Sequence, residues 1–153
     1  MVIVGPVYND MTRFFLMDDW KFTPIEGRSM LQMGFSGRNG NWTCIARALD
    51  EKQQVIFLSI CSVKVPEAKR DLVAEFLTRA NYGLVIGNFE MDYEDGEIRY
   101  KTSVDVGDEH VSSEIMKPLV YTNVAMMDRY LPGIMAVTHG NVSPADAIKD
   151  IEG

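Results

Sequence analysis

The chain has 153 residues, of which 46% are hydrophobic and 24% are charged, a balance typical of a globular protein. Its formal net charge of -7 would repel phosphate backbones and anionic lipids, so we expect neither nucleic acid nor a membrane as a partner. The first residues lack the basic start of a signal peptide, and no apolar run approaches the ~20 residues that span a bilayer. We therefore expect a cytoplasmic protein and interpret residues 1–153 as a single domain with one core.

The first predicted element is a helix over residues 10–20, which the aspartate at its start could cap. A β-hairpin follows, with strands at 30–38 and 41–49 joined by the two-residue turn Asn39-Gly40. Side chains alternate between the two faces of a strand, so one apolar set shares a face against which a helix could pack. That set is Leu31, Met33, Phe35, Trp42, Cys44, Ala46 and Ala48.

Residues 54–63, QVIFLSICSV, are apolar on both alternating sets, which predicts a strand covered on both faces. The helices must also cover the apolar face of the first hairpin, so one monomer has few elements left to cover both faces of this strand. We therefore predict a homodimer, with cover from the first or last helix of the same chain as the alternative. The candidate surface for a second copy or another protein partner is Met30, Ile45, Leu49, Ile56, Leu58 and Ile60.

A helix is predicted to open at Val65-Pro66-Glu67, because a proline in the first turn has no hydrogen bond to lose. It should end near Asn81 or Gly83. Its predicted apolar face comprises Ala68, Leu72, Val73, Phe76, Leu77 and Ala80.

The segment GNFEMDYEDGEIRYKTSV, residues 87–104, concentrates acidic residues around Asp95-Gly96 and predicts a second hairpin. With a two-residue turn, Asp92 would pair with Arg99 and Glu90 with Lys101. One apolar set would then lie together on the opposite face: Phe89, Met91, Tyr93, Ile98 and Tyr100.

Two chemical interpretations of this acidic segment are disfavoured. An EF-hand loop would require acidic ligands where Met91 and Thr102 stand, so we expect no calcium site. Glu94 and Glu97 flank an exposed turn, which is a poor setting for a catalytic pair of carboxylates in contrasting environments. The sequence therefore favours a plain hairpin.

The C-terminal part is predicted to be helical. Ser112 or Ser113 caps a long helix that is apolar on more than one side over 119–137, and therefore needs cover from other elements. Ser143-Pro144 starts a short final helix that ends at about Ile151. The order α-βββ-α-ββ-α-α predicts an α+β fold with a mainly antiparallel, five-stranded sheet.

We find no motif for a catalytic, cofactor-binding or metal site. Cys44 and Cys61 lack the spacing of zinc or redox sites and are predicted to be buried free thiols. The glycine-rich GFSGRNG lacks the spacing of a phosphate loop. We predict no enzyme and no cofactor. The alternative is a small-molecule-binding or catalytic domain whose pocket, between sheet and helices, includes Trp42 and Tyr100.

Residues 70–104, RDLVAEFLTRANYGLVIGNFEMDYEDGEIRYKTSV, followed by MDRYLPGIMAV and GNVSPADAI, resemble the YbjN family of bacterial proteins, especially its cyanobacterial branch. The match covers about residues 30–151, and its motifs are structural: a helix end, a strand start, a turn and a helix cap. The resemblance implies a fold similar to the type III secretion chaperones, small acidic α+β proteins that dimerise and hold a partner chain. Family members are described as sensory-transduction regulators. It thus implies a non-enzymatic protein-interaction module, chaperone-like or regulatory.

Overall fold

The computed structural model describes residues 5–153. The helices are α1 Pro6–Met17, α2 Arg70–Asn81, α3 Ser113–His139 and α4 Pro144–Glu152. The strands are β1 Phe22–Ile25, β2 Met30–Ser36, β3 Asn41–Leu49, β4 Gln54–Ile60, β5 Asn88–Met91 and β6 Ile98–Asp105. The first four residues, which the sequence analysis included in the domain, lie outside the described residues.

One antiparallel sheet has the strand order β1-β2-β3-β4-β6-β5, so the predicted α+β class with an antiparallel sheet is confirmed. The sheet has six strands, whereas the sequence predicts five, and the additional strand is β1. This strand is only four residues long and contains Pro24, a residue that argues against a strand except at a sheet edge. β1 lies at that edge.

The helices form a second layer on one face of the sheet. α1 packs against β3 and β4, α3 against β4 and β6, and α2 against β5, while α4 lies on α2 and α3. The predicted inward set of the first hairpin is confirmed, since all of its members are buried except Phe35, which is half-buried. The core therefore lies between the helical layer and this inner face of the sheet.

Helix α1 begins at Pro6 and ends at Met17, so the predicted span 10–20 is wrong at both ends. Its N-cap, Gly5, provides no side-chain hydrogen bond. Instead, the Asp50 carboxylate accepts a hydrogen bond from the backbone N–H of Val7 at 2.8 Å. This cap comes from a residue 43 positions away, so no local pattern could indicate it.

The loop between β2 and β3 spans residues 37–40, and the N–H of Gly37 donates to the carbonyl of Gly40 at 2.7 Å, so the predicted turn at Asn39-Gly40 is wrong in its position. Phe35 pairs with Trp42, a register shifted by two residues. The cause lies on α3, where the Asp128 carboxylate accepts hydrogen bonds from the backbone N–H groups of Arg38 at 3.0 Å and Asn39 at 2.8 Å. Because side chains alternate with a period of two, this shift leaves the inward set unchanged.

The second hairpin shows the same kind of correction. Glu90 pairs with Arg99 across the strands, and residues 92–97 form the connecting loop. This loop is held against the start of α2, where the Arg70 guanidinium donates to the carbonyl of Tyr93 at 2.9 Å. Gly96 has a φ of +79°, as the turn prediction required, but Asp95 does not have a positive φ. Contacts to a distant segment thus override the local two-residue turn.

The C-terminal helices begin as predicted. The Ser112 hydroxyl accepts a hydrogen bond from the N–H of Ile115 and caps α3, and the Ser143 hydroxyl accepts from Asp146 and caps α4. α2 begins only at Arg70, after a short 3₁₀ turn. Ala68 therefore lies before the helix and is exposed, and Leu72, although inside the helix, is also exposed and does not belong to its inner face.

Candidate interaction surface

The face of the sheet that points away from the helices, here called the open face, carries all six residues predicted as a dimer or partner surface. Ile45 on β3 pairs directly with Leu58 on β4, and Ile56 and Ile60 flank Leu58 on the same side of that strand. Met30 on β2 lies opposite Arg47 of β3. These side chains form an apolar stripe, defined here as Met30, Ile45, Leu49, Ile56, Leu58 and Ile60.

The six stripe residues are half-buried, and none is among the described residues that form the core or pack against it. On β4, Val55 and Phe57 of the alternate set are fully buried beneath the helices. The prediction that this strand is covered on both faces is therefore wrong for the single chain. Within residues 5–153, both α1 and α4 lie in the helical layer on the other face of the sheet, so neither helix covers the stripe.

Charged residues flank the stripe. Arg99 and Lys101 both contact Glu90, with nitrogen–oxygen distances of 2.6 and 3.0 Å. Burial alone would raise the pKa of the Glu90 carboxyl, but the hydrogen bonds from Lys101 and Arg99 outweigh it and hold the pKa below its ordinary value. With Arg47 and Asp105, the strand positions of this face carry three cations and two anions. The open face is therefore close to neutral on a protein whose net charge is -7.

The aspartates of the acidic segment stabilise the loop that the segment forms. Asp92 accepts a hydrogen bond from the N–H of Glu94, and Asp95 accepts one from the N–H of Glu97. Asp95 also pairs with Lys64 at 3.1 Å. Arg99 pairs with Glu90, so the predicted pair of Asp92 with Arg99 is wrong. Across residues 5–153, no group of three or more His, Cys, Asp or Glu side chains is arranged to hold a metal ion.

Asn81 closes the outer edge of β5, a role that sequence reasoning missed. Its side-chain oxygen accepts a hydrogen bond from the N–H of Phe89 at 2.7 Å, and its side-chain nitrogen donates to the carbonyl of Phe89 at 3.1 Å. The carboxamide thus makes the two bonds that a further strand would make. From sequence, Asn81 is predicted only as a helix end and the segment after it as the start of a strand, because the loop between Asn81 and Phe89 gives no local indication of the contact.

The alternative pocket, lined by Trp42 and Tyr100, is not formed. Strand β4 separates the two residues, and both side chains are buried in the core. Trp42 lines a depression of about 430 Å³ at one end of the sheet, to which Tyr100 does not contribute. The Tyr100 hydroxyl instead donates to the carbonyl of Ile86.

Both thiols are buried and free, as predicted. Burial raises the pKa of Cys44 to about 11, against the opposing contact of its sulfur with the Ser59 hydroxyl at 3.6 Å. Burial also raises the pKa of Cys61. Neither thiol is therefore an activated nucleophile at neutral pH.

The long helix α3 is covered within the chain on most of its circumference. It contacts α1, α2, α4, β4 and β6. Inside this packing, the Asn123 amide nitrogen donates to the carbonyls of Phe57 at 2.8 Å and Tyr100 at 3.0 Å, joining the helix to two strands. The surplus apolar surface predicted for 119–137 is thus largely internal, although Tyr121 and Met135 remain exposed.

The model of the YbjN family, described as "Putative bacterial sensory transduction regulator", matches residues 13–135, most of the chain. The chain belongs to the YbjN family. No curated protein sequence matches it. Within the described part of the chain, no helix is long and apolar enough to cross a membrane.

Two solved structures share the fold of this YbjN family member. The crystal structure of YbjN, "a putative transcription regulator from E. coli", has a TM-score of 0.60 at 12% identity, covering 91% of this chain and 94% of the other. A chain from the crystal structure of the ExsC-ExsE complex has a TM-score of 0.54 at 10% identity, covering 86% of this chain and 96% of the other. The expected chaperone-like fold is confirmed.

Proposed function

We propose that this chain is a non-enzymatic protein-interaction module of the cytoplasm, chaperone-like or regulatory, that works as a homodimer joined through its open face. The whole chain, residues 1–153, would act as one YbjN-like domain. The single observation that carries this proposal is the apolar stripe centred on the Ile45–Leu58 pair, which no part of the described core contacts.

The edges of the sheet are poorer sites for association than its open face. β1 and β5 are the edge strands, and each has four residues. β1 contains Pro24, and Asn81 occupies both backbone groups of Phe89 on β5. Short edges, prolines and covered backbone groups are the features by which proteins suppress strand addition. Association through the apolar stripe avoids these obstacles.

Charge favours the same face. Two copies with a net charge of -7 repel each other, and the repulsion is smallest where their nearly neutral surfaces meet. Burial of apolar area yields about 25 cal/mol per Å², so an aliphatic stripe can supply a favourable term at that place. A second copy is therefore the occupant that we propose for the stripe.

The comparisons support a binding role without specifying a partner. The family is described as a regulator, and the ExsC-ExsE structure is a complex of two proteins. We propose by analogy that this homodimer also holds a protein partner. The residues that could form a catalytic site have structural roles. Aspartates of the 87–104 segment hydrogen-bond within their own loop, and both thiols are buried.

Sedimentation of the purified chain at micromolar concentration tests the homodimer. We expect twice the monomer mass for the native protein and a shift toward monomer for Ile45→Asp and Leu58→Asp, because a buried unpaired charge opposes association. Ile45→Thr removes apolar area while keeping a β-branched side chain, and should also weaken the dimer. It provides the test if an aspartate variant fails to fold.

The matched control is Leu72→Asp, the same change as Leu58→Asp at an exposed leucine on α2, away from the open face. At a salt concentration of about 0.1 M, where distant charges are screened, it should leave the dimer intact. A native protein that stays monomeric across the micromolar range would contradict the proposal. So would a dimer that tolerates both folded substitutions at Ile45.

A further inference from the structure

The loop after β2 contains the only Asn-Gly pair of the 153-residue sequence, Asn39-Gly40. Asn39 is exposed to solvent. Glycine has no side chain that could shield its backbone nitrogen, and within residues 5–153 the N–H of Gly40 donates no hydrogen bond. The Gly40 nitrogen is therefore accessible to the carboxamide of the residue before it.

Helix α3 holds this carboxamide. The side-chain nitrogen of Asn39 donates to the backbone carbonyl of Asp128 at 2.9 Å, and the Asp128 carboxylate accepts the N–H groups of Arg38 and Asn39. Gly40 lies against the same helix, since a Cβ on it would come within 2.7 Å of Leu131. The carboxamide must release the carbonyl of Asp128 before it can turn toward the Gly40 nitrogen, so these contacts slow any reaction between the two groups.

The pair Asp95-Gly96 offers a comparison within the same chain. The nitrogen of a glycine can also attack the side chain of an aspartate before it, but the N–H of Gly96 donates to the carbonyl of Asp92 at 2.7 Å. Gly96 also lies against the backbone of Val65. The two pairs thus differ, because the glycine nitrogen is engaged at Gly96 and has no acceptor among the described residues at Gly40.

We infer that Asn39 is a site of spontaneous deamidation and that the Asp128 contacts on α3 restrain its rate. The Gly40 nitrogen forms a bond to Cγ of Asn39, and the carbon–nitrogen bond of the carboxamide breaks. The carboxamide nitrogen takes the proton of the Gly40 N–H and leaves as ammonia, so that a succinimide ring remains. Water then opens the ring at either carbonyl and gives aspartate or isoaspartate. The net reaction consumes water and releases ammonia, with no oxidation or reduction.

Either product would detach the loop from α3. A carboxylate cannot donate to the carbonyl of Asp128, and it places a second negative charge beside the Asp128 carboxylate. Isoaspartate also adds a methylene to the main chain before Gly40, whose carbonyl accepts the N–H of Gly37 at 2.7 Å and closes the loop. The reaction therefore changes both the charge and the conformation of the loop. It goes beyond the proposed function and does not depend on the homodimer.

Incubation of the purified native chain at mildly alkaline pH, followed by proteolysis and mass spectrometry, tests the inference. We expect conversion of Asn39 to a mixture of aspartate and isoaspartate, faster than at any other asparagine, and no isoaspartate at Asp95. Asp128→Ala should accelerate the conversion several-fold, because the N–H groups of Arg38 and Asn39 lose their acceptor. Asp128→Asn keeps one acceptor oxygen and should accelerate it less. This second variant provides the test if the alanine variant fails to fold.

Asp150→Ala is the matched control, since it removes the same carboxylate from an exposed position on another helix, α4, and it should leave the rate unchanged. Asn39→Asp supplies one product directly, and its loop N–H groups should exchange with deuterium faster than those of the native protein. Faster conversion at another asparagine, or a native rate in a folded Asp128 variant, would overturn the inference. Native exchange in Asn39→Asp would overturn the release of the loop.

Discussion

At the scale of single residues, Gly96 shows how a local signal and a distant contact coincide. Its φ of +79° is unfavourable for any residue with a side chain. In addition, a Cβ at this position would lie 2.1 Å from the carbonyl oxygen of Val65, whose N–H donates to the carbonyl of Gly96 at 2.9 Å. The sequence predicted the first constraint from the Asp-Gly pair, whereas the second exists only because the loop lies against the segment before α2.

We therefore expect Gly96→Val to destabilise the protein by about 2 kcal/mol or more, since a branched side chain adds a steric clash to backbone strain. Thermal unfolding measures this as a clear fall in Tm. Gly107→Val is the matched control, because Gly107 also has a positive φ, of +56°, but has no neighbour within 4 Å of its Cβ position. Equal losses in the two variants would show that the Val65 contact has no effect on stability.

At the scale of elements, the registers of both hairpins were decided by contacts with helices. Asp128 on α3 holds the loop after β2, and Arg70 at the start of α2 holds the loop after β5. Each contact lies at a loop whose register differs from the one that short-range turn chemistry predicts. Both shifts are by two residues, so the predicted inward residues of the strands remained inward. The exception is Tyr93, which lies in the loop after β5 and is 53% exposed.

The Asn81 contact at the edge of β5 gives a second prediction at this scale. Asn81→Ala leaves the N–H of Phe89 without its side-chain partner, while the carbonyl of Phe89 keeps a hydrogen bond from the Asn88 amide at 3.1 Å. We expect a loss of about 1 to 3 kcal/mol in the free energy of unfolding. Urea denaturation measures it. Asn9→Ala, at an exposed position on α1, is the control and should change stability little. A loss no larger than that of Asn9→Ala would refute the role assigned to the carboxamide.

At the scale of the whole molecule, a nearly neutral open face belongs to a protein with a net charge of -7. The proposed self-association through that face would bury apolar area while two acidic bodies approach each other. Long-range repulsion should therefore oppose the dimer, and the apolar stripe should favour it. The balance depends on ionic strength, because salt screens the repulsion and leaves the apolar term largely intact.

We expect the dimer dissociation constant to fall several-fold when the salt concentration rises from about 0.01 M to about 0.1 M, as the Debye length shortens from roughly 30 to 10 Å. Sedimentation at a series of protein concentrations measures this. Leu72→Asp adds a charge outside the open face and should weaken the dimer only at low salt. A dimer that dissociates as salt is added would instead indicate that ion pairs such as those available to Arg99 and Lys101 dominate the interface.

The sequence by itself determined the fold class, the family, most elements and the faces of the strands. These features depend on local signals: the period-two alternation over residues 30–49, the serine caps of α3 and α4, and the glycine of the acidic turn. The six residues of the apolar stripe could be predicted for the same reason, since alternation assigned them to the face opposite Phe35 and Trp42.

Only the tertiary structure decided the register of the hairpins, the start of α1 and the closed edge at Asn81. Each depends on a pair of groups far apart in the chain, such as Asp50 with Val7 or Asp128 with Asn39. From the local sequence alone, a carboxylate or amide at such a position is predicted to be a solvated surface residue. Its partner is determined by how the helical layer packs on the sheet, and that packing is a property of the whole core, which no short stretch of sequence contains.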